Sequence, residues 1–362
     1  MKVVLFIALS LLSWTCEAHK PSDSYLSLQT EGRALRGQWD IALRDLEYAI
    51  GLDADGDGAI TWGELRAKHG DLAAYAFARL ALRGCAIKPG ALLVDDHTDG
   101  AYAVLQFSAE CGETLPREIE LEYRLFADLD PTHRGLLRAR LGTQTVTAVL
   151  GPDRPRLTLS AAGRSGLAQF LDYAREGVWH IWIGFDHLLF LLSLLLPAVL
   201  GMPRFAPALW DVFKVVTAFT VAHSITLALA ALAVVSLPSR LVESAIAASV
   251  VLAALNNLWP VVRGGRWVVA FGFGLLHGFG FASVLTDLGL PREQLLAALV
   301  GFNVGVEAGQ LAIVAAFLPL AYGLRQTWLY RRMVFVGGSA LIALIAAIWM
   351  VERVFDLQLG LI

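Results

Sequence analysis

Six long apolar runs fill the second half of this chain, and they constrain its fold more than any other feature of the sequence. A helix needs about 20 residues to cross the hydrocarbon core of a bilayer. The runs give predicted spans over 179–200, 211–236, 240–261, 266–288, 292–322 and 332–352. Charged residues make up 17% of the chain, whereas soluble domains contain about 25%. The sequence therefore predicts a polytopic membrane domain of six α-helices over residues 179–352.

The start of the chain has the pattern of a bacterial export signal. Lys2 supplies the positive end, residues 3–12 the apolar core and residues 16–18 a small-x-small cleavage motif. We therefore expect residues 1–18 to be a signal peptide and residues 19–165 to form a periplasmic domain, followed by a juxtamembrane helix over 166–178. Lipidation of Cys16 is the alternative, although the residues before it suit that modification poorly.

Positive charge is concentrated on one side of the predicted spans. The connections 201–210, 262–265 and 323–331, with their edges, carry seven arginine or lysine residues, whereas the opposite side carries three. Cytoplasmic loops are enriched in these residues. The pattern predicts a multi-pass protein of the bacterial inner membrane, with its N-terminal domain and a tail over 353–362 in the periplasm. The sequence contains no basic run of the kind that binds nucleic acid.

The predicted periplasmic domain combines helices with short strands. Apolar residues recur at helical spacing over 41–52 and 62–82. From residue 90 onward, β-rich segments separated by turn residues predict strands over 91–94, 101–108, 119–126, 143–150 and 156–160. The pattern indicates an exported α+β domain, in which a helical insert precedes a small antiparallel β-sandwich.

Two cysteines, Cys85 and Cys111, remain in the exported part once the signal is removed. An even pair in an oxidising compartment favours a disulfide. Two unpaired buried thiols are the alternative.

Residues 53–64 match the twelve-residue loop of an EF-hand and lie between two predicted helices. Gly58 supplies the sharp turn of such a loop. The predicted Ca²⁺ ligands are five side chains and one backbone carbonyl, namely those of Asp53, Asp55, Asp57, Thr61 and Glu64 and that of Ala59. An acidic solvent loop is the alternative. Only one such loop is found in the sequence, so we expect a weak structural site or a loop that pairs across a dimer.

Ionisable side chains are costly inside a membrane, so each one in a predicted span is a candidate functional group. The first span contains His180, Asp186 and His187. In one continuous helix, the two imidazoles would share a face and lie about 10 Å apart along the axis. Further candidates in the second, fourth and fifth spans are His223, His277, Asn303, Glu307 and Gln310. Any single histidine could merely bond a neighbouring helix, but the whole set favours a pathway for a metal ion or for protons.

The types of side chain narrow the choice of metal. Imidazole is a good ligand for zinc, nickel, cobalt and Cu(II). The membrane half contains no cysteine, and its methionines are distant in sequence from the histidines, which disfavours Cu(I). Cleavage of the signal would leave His19 as the first residue, where its α-amino and ring nitrogens could chelate Cu(II) or Ni(II). An ordinary flexible terminus is the alternative for His19.

Four segments of the membrane half carry a family resemblance: HIWIGFDHLLFLLSLLLP, TAFTVAHSITL, FGFGLLHGFGFAS and GFNVGVEAGQL. With them, the chain resembles the HupE/UreJ family of hydrogenase and urease accessory membrane proteins, in the branch that has a large exported N-terminal domain. The resemblance implies uptake of nickel, and sometimes of cobalt, by secondary transport. The metal-binding role that the resemblance implies falls most directly on His180, Asp186 and His187. His223 and His277 match motifs of this branch. The EF-hand loop and the exported domain depart from the short members and leave the transported ion open.

The sequence is compatible with three functions. The first is secondary transport of a divalent transition metal, nickel or cobalt with zinc also possible, through a His/Asp/Glu site between helices. No lysine follows a glycine, so the P-loop of an ATP-driven transporter is missing. The second is an intramembrane zinc hydrolase with Asp186 or Glu307 as general base. The third is a non-transporting accessory protein whose exported domain binds a periplasmic partner. A homo-oligomer is compatible with all three.

Overall fold

The computed structural model describes residues 22–97, 100–112, 116, 118–142, 144–160, 166–262, 264–280, 292–355 and 357. Within these residues, an N-terminal part contains two β-sheets and three short helices, and a C-terminal part is helical. The predicted signal peptide and His19 lie outside the described residues.

Nine strands build the two sheets of the described N-terminal part. They are β1 (Asp23–Glu31), β2 (Ala34–Ala42), β3 (Leu80–Leu82), β4 (Ala86–His97), β5 (Gly100–Glu110), β6 (Glu118–Tyr123), β7 (Arg134–Leu141), β8 (Gln144–Leu150) and β9 (Arg156–Ser160). The larger sheet has the order β4-β5-β2-β1-β7-β8, and the smaller one has the order β3-β6-β9. Both sheets contribute side chains to one apolar core, which includes Leu26, Leu137 and Leu121.

The prediction of a purely antiparallel sandwich is wrong, because β1 and β7 pair in parallel at the centre of the larger sheet. Neither of these strands was predicted from the sequence, and β2 was missed as well. In both β1 and β7, successive side chains point to opposite faces of the sheet, and buried side chains occur on both faces. Leu26 and Leu137 face the core between the sheets, whereas Tyr25 and Leu136 pack against the helical part. Strands that are covered on both faces lose the apolar–polar alternation that reveals a half-buried strand.

Three short helices occupy the segment between β2 and β4: α1 (Leu43–Ile50), α2 (Trp62–Ala67) and α3 (His69–Phe77). The predicted helix over 62–82 is wrong in its last residues, which form β3. Leu80 and Leu82 are buried there and pair with β6. Three alternating residues are too few to distinguish a strand from the end of a helix. Cys85 and Cys111 form a disulfide with an S–S distance of 2.03 Å, next to the antiparallel pairing of β4 and β5.

The helical part begins directly after the smaller sheet. Its helices are α4 (Gly166–Ile183), α5 (Phe185–Leu195), α6 (Phe205–Ala231), α7 (Ser239–Leu258), α8 (Arg266–His277), α9 (Arg292–Leu324) and α10 (Gly338–Phe355), and a π-helical segment (Leu329–Gly337) leads into α10. Four helices among the described residues are long and apolar enough to cross a membrane, and the bent pair α4–α5 would be a fifth. In the region of the remaining predicted span, 266–288, α8 has 12 residues and residues 281–291 are outside the description. The prediction of six spans therefore stays a prediction.

Glycines bring two pairs of helices into backbone contact. On α9, a Cβ at Gly301 would lie 2.6 Å from the Phe170 carbonyl oxygen of α4, and one at Gly305 would overlap the Ala174 carbonyl. The second pair is α6 and α8, where a Cβ at Gly274 would lie 2.5 Å from the Phe219 carbonyl oxygen. Such small residues let transmembrane helices approach closely.

The larger sheet rests on the ends of the helices. Tyr25, Tyr102 and Leu136 of the sheet share an apolar cluster with Leu227 of α6 and Leu295 of α9. Ion pairs surround this contact: Arg154–Asp172 at 2.8 Å, Arg175–Asp153 at 3.0 Å and Arg134–Glu176 at 3.9 Å. The sheet thus covers one end of the helical part, close to the first turns of α4.

A buried hydrogen-bond network organises the start of the described chain. His133 is fully buried between Ser22, whose Oγ is 2.5 Å from its Nδ1, and Tyr123, whose hydroxyl is 2.5 Å from its Nε2. The Ser22 hydroxyl donates to Asp45 at 2.7 Å, so it accepts the proton of Nδ1. Burial lowers the pKa of His133 to about 3. The ring is therefore neutral in the folded protein at neutral pH.

We expect Gly305→Ala to destabilise the protein, because the added methyl group meets the backbone of α4. Overpacking of this kind typically costs about 1–3 kcal/mol. Gly323→Ala, on the same helix with open space around the Cβ position, should stabilise by about 0.5–1 kcal/mol. Melting temperatures of the two full-length variants in detergent would test the contact. Equal shifts would contradict it.

We also expect acid to destabilise the N-terminal part through His133. Its ordinary pKa is 6.5 and its folded pKa is about 3, so below pH 6.5 the unfolded chain binds a proton that the folded protein excludes. This contribution to stability is complete above the ordinary pKa and is lost toward acid by about 1.4 kcal/mol per pH unit. The melting temperature of His133→Gln, followed by the β-sheet signal in circular dichroism, should fall less steeply with pH than that of the wild type. Parallel pH profiles would argue against this role.

Candidate metal centre

The first predicted span is interrupted at Gly184. Helix α4 ends at Ile183 and α5 begins at Phe185, and the two helices are bent by 72°. A Cβ on residue 184 would lie 2.6 Å from the His180 carbonyl oxygen, so the bend needs glycine. The prediction of one continuous helix over 179–200, preceded by a separate helix over 166–178, is therefore wrong. The bend brings His180 to within 4.6 Å of His187 between ring centroids, instead of about 10 Å along an axis.

Four histidine rings converge at this bend from four helices. His180, His187 and His223 each offer a ring nitrogen, and these three atoms lie within 4.8 Å of one another. The ring of His277, at the end of α8, lies 5.0 Å from that of His187 between centroids. His223 and His277 are fully buried, and His187 is 5% exposed. The sequence-predicted histidines of the membrane half thus come together.

Three of these rings are held by a polar group on one nitrogen. Asp186 Oδ1 is 2.9 Å from His187 Nδ1 and also accepts the His187 backbone N–H at 2.8 Å. His223 Nδ1 lies 3.1 Å from Asn303 Oδ1, and His277 Nε2 lies 2.9 Å from the hydroxyl of Ser249. The opposite nitrogens, Nε2 of His187 and His223 and Nδ1 of His277, are buried and have no hydrogen-bond partner within the described parts of the chain.

Aromatic rings enclose the cluster. Phe302 contacts His180 at 5.3 Å, Phe219 contacts His277 at 5.3 Å, and Phe190 contacts His277 at 5.0 Å, each between ring centroids. All three phenylalanines are at most 1% exposed. These walls strengthen electrostatic interactions at the cluster, because they replace water by a medium of low polarity.

The other predicted site residues line a polar seam between α6 and α9. Glu307 accepts a hydrogen bond from Thr217 at 2.7 Å, and the hydroxyl of Thr220 lies 3.2 Å from both Gln310 Oε1 and the carbonyl oxygen of Val216. Asn303 lies on the same face of α9 and holds His223. Glu307 does not belong to the group of His180, His187 and His223, whose ring nitrogens lie within 4.8 Å of one another. The seam leads from the cluster toward the beginning of α6 and the end of α9.

Sequence reasoning missed three residues of the site, namely Ser249, Thr217 and Thr220. Serine and threonine are ordinary in membrane helices and commonly bond the carbonyl one turn earlier. The only available signal was the spacing of Thr217, Thr220 and His223, which are three residues apart and share one face of α6.

The arrangement suits a cation. Buried polar groups are nearly always hydrogen-bonded, and an unpaired one costs about 1–3 kcal/mol. The unpaired nitrogens of His187, His223 and His277 belong to rings that lie next to one another, with 6.3 Å between the ring centroids of His187 and His223 and 5.0 Å between those of His187 and His277. A positive ion is the group that would satisfy several such nitrogens at once. Neutral imidazole nitrogens suit zinc, nickel, cobalt and Cu(II) better than they suit magnesium or calcium.

The predicted calcium loop lies between α1 and α2 in the N-terminal part. Asp53, Asp55 and Asp57 each present a carboxylate oxygen within 4.8 Å of the others. Asp53 accepts the backbone N–H groups of Gly56 and Gly58 at 2.7 and 2.8 Å, which lower the pKa of its carboxyl.

The end of the same loop is held by a capping box. The Glu64 backbone N–H donates to the Thr61 hydroxyl at 3.3 Å, and the Glu64 carboxylate accepts the Thr61 backbone N–H at 2.9 Å. That carboxylate also accepts from the backbone N–H of Ala54 at 2.8 Å and from the hydroxyl of Thr61 at 2.7 Å. These hydrogen bonds lower the pKa of Glu64 to about 2, and the one from the Thr61 hydroxyl has the largest effect. Ala59 donates its N–H to Asp57 at 2.8 Å. The lowered pKa values leave the carboxylates of Asp53 and Glu64 ionised at neutral pH.

Comparison with known proteins concerns the helical part. A family model described as HupE / UreJ protein matches residues 156–353. The match covers more than half of the chain and includes all four clustered histidines, whereas residues 53–64 and most of the N-terminal part lie before it. A search of curated proteins found no match.

Proposed function

Because the chain belongs to the HupE/UreJ family, which is associated with nickel or cobalt uptake and with accessory roles, we propose that it transports a divalent transition metal across the inner membrane. Nickel and cobalt are the favoured ions, and zinc is compatible with the same ligands. The observation that carries this proposal is the buried convergence of His180, His187 and His223 from three helices.

The bent helix pair supports transport in particular. In many secondary transporters, discontinuous helices build the ion site near the middle of the bilayer. Here the discontinuity at Gly184 lies between two of the clustered histidines. The seam of Thr217, Glu307 and Gln310 would then offer oxygen ligands to an ion that leaves the histidines.

The membrane potential supplies a sufficient driving force. A divalent cation that enters a negative cytoplasm gains about 4.6 kcal/mol per 100 mV, twice the value for a single charge. In the proposed orientation the exported sheet and the calcium loop are periplasmic. The sheet contacts the end of α6 and the beginning of α9, which supports placing these two helix ends on the same side of the membrane.

The alternative of an intramembrane zinc hydrolase has less support. A general base must reach a water at the metal. Asp186 is hydrogen-bonded to His187, and Glu307 is hydrogen-bonded to Thr217 outside the histidine cluster. Both candidate bases therefore already have other partners. Uptake of metal into proteoliposomes distinguishes a transporter from an accessory protein that binds the metal without moving it.

We expect His187→Ala and Asp186→Asn to reduce nickel accumulation in cells at least tenfold, since the first removes a ligand and the second weakens the group that orients it. Radiolabelled nickel uptake, corrected for the amount of protein in the membrane, measures the effect. His69→Ala, in α3 of the exported part, should leave uptake unchanged. Normal uptake in both site variants would exclude the proposed route.

For the exported part, we propose that residues 53–64 hold a Ca²⁺ ion through the side chains of Asp53, Asp55, Asp57, Thr61 and Glu64 and the carbonyl of Ala59. The proximity of three carboxylates, which repel one another without a cation, supports this proposal. Calcium would neutralise them and stabilise the connection between α1 and α2.

We expect Glu64→Gln to weaken calcium binding by at least tenfold, because it removes a charged, bidentate ligand from the loop. Isothermal titration of the full-length protein in detergent gives the dissociation constant. Glu31→Gln alters an exposed ion pair with Arg36 on β1 and serves as the matched control. Equal affinities for the two variants would speak against the loop as the binding site.

A further inference from the structure

We propose that Asn303 and Ser249 are positioning residues, which fix the protons of His223 and His277 so that each ring presents a bare nitrogen to the transported ion. This inference rests on the proposed function and assigns new roles to two uncharged side chains. It also predicts that the three held histidines bind the ion with unequal strength.

The orientation of the Asn303 side chain is defined by its own helix. Its Nδ2 donates to the carbonyl oxygen of Leu299 at 2.8 Å, so the group that faces His223 is the carbonyl oxygen Oδ1. A carbonyl oxygen only accepts hydrogen bonds. His223 therefore carries its proton on Nδ1, and its lone pair is on Nε2, the buried nitrogen at the cluster.

Ser249 defines the proton of His277 in the same manner. A hydroxyl has one proton to donate, and Ser249 donates it to the carbonyl oxygen of Ile246 at 2.6 Å. Its oxygen must then accept from His277 Nε2, which lies 2.9 Å away. The lone pair of His277 is consequently on Nδ1, which is buried and has no hydrogen-bond partner in the described segments.

The three held rings differ in the charge of the group behind them. His187 is backed by the carboxylate of Asp186, whereas His223 and His277 are backed by a neutral amide and a neutral hydroxyl. A carboxylate partner raises the basicity of a histidine ligand more than a neutral acceptor does. The ion is therefore held firmly from α5 and more weakly from α6 and α8. A transport site needs such weak ligands, because an ion that is bound too tightly is not released.

The test compares substitutions that remove the hydrogen-bond acceptor of a histidine with Asn303→Asp, which gives that acceptor a negative charge. Asn303→Leu and Ser249→Ala should each weaken nickel binding about 10- to 100-fold, the usual effect of losing a partner of a metal-binding histidine. Asn303→Asp should tighten binding and slow uptake, and Ser249→Thr should restore the affinity of the wild type. Asn256→Leu replaces an asparagine of α7 outside the cluster and should leave nickel affinity unchanged.

Two measurements on the full-length protein in detergent decide the outcome. Nickel affinity is measured by titration with the metal alone, and ¹⁵N NMR of labelled histidine reports the proton position of each ring without metal. We expect the Nδ1–H signal of His223 to be lost or mixed in Asn303→Leu and retained in Asn256→Leu. Unchanged nickel affinity in both Asn303→Leu and Ser249→Ala, or an unchanged NMR spectrum, would overturn the positioning roles.

The same variants allow the positioning roles and the proposed transport to be tested independently. If nickel binding shifts as expected but reconstituted wild-type protein moves no nickel, transport is excluded and the positioning roles remain. If the wild type transports nickel while both substitutions leave binding unchanged, transport remains and the positioning roles are excluded.

Discussion

The contact of helix backbones through glycine is the constraint on which the rest of the helical part depends. Gly301 and Gly305 let α9 touch α4, and Gly274 lets α8 touch α6. The contact between α6 and α8 brings together the helices that carry His223 and His277. The contact between α4 and α9 places His180 next to Phe302. The glycines therefore determine the position of the site as well as the packing of the helices.

Inside this framework, the cluster combines buried nitrogens with few charges. His187 is hydrogen-bonded to the carboxylate of Asp186, His223 to an amide and His277 to a hydroxyl. The walls are phenylalanine rings. A site of this kind would attract a cation, because one nitrogen each of His187, His223 and His277 has no hydrogen-bond partner among the described residues. It would hold that cation moderately, because these three rings are backed by a single negative charge. Both properties would suit the proposed transport.

The sequence predicted local features well and long-range features poorly. The strands over 101–108 and 156–160 lie within β5 and β9, and the polar residues of 53–64 meet because they are neighbours in the chain. The central strands β1 and β7 were missed, since both of their faces are covered. The bend at Gly184 was missed because a lone glycine does not by itself end a helix. Ser249 was missed because its role depends on an imidazole 28 residues away, and no periodicity in one sequence records such a contact.

The ion pairs between the sheet and α4 give that helix a mechanical role. Asp172 and Glu176 tie its first turns to Arg154 and Arg134 of the sheet, and His180 follows one turn after Glu176 on the same unbroken helix. A straight helix transmits axial displacement with little loss. Tilting or lifting the N-terminal part would therefore pull on the imidazole of His180 near the far end of α4, which couples the position of the sheet to the geometry of the histidine cluster.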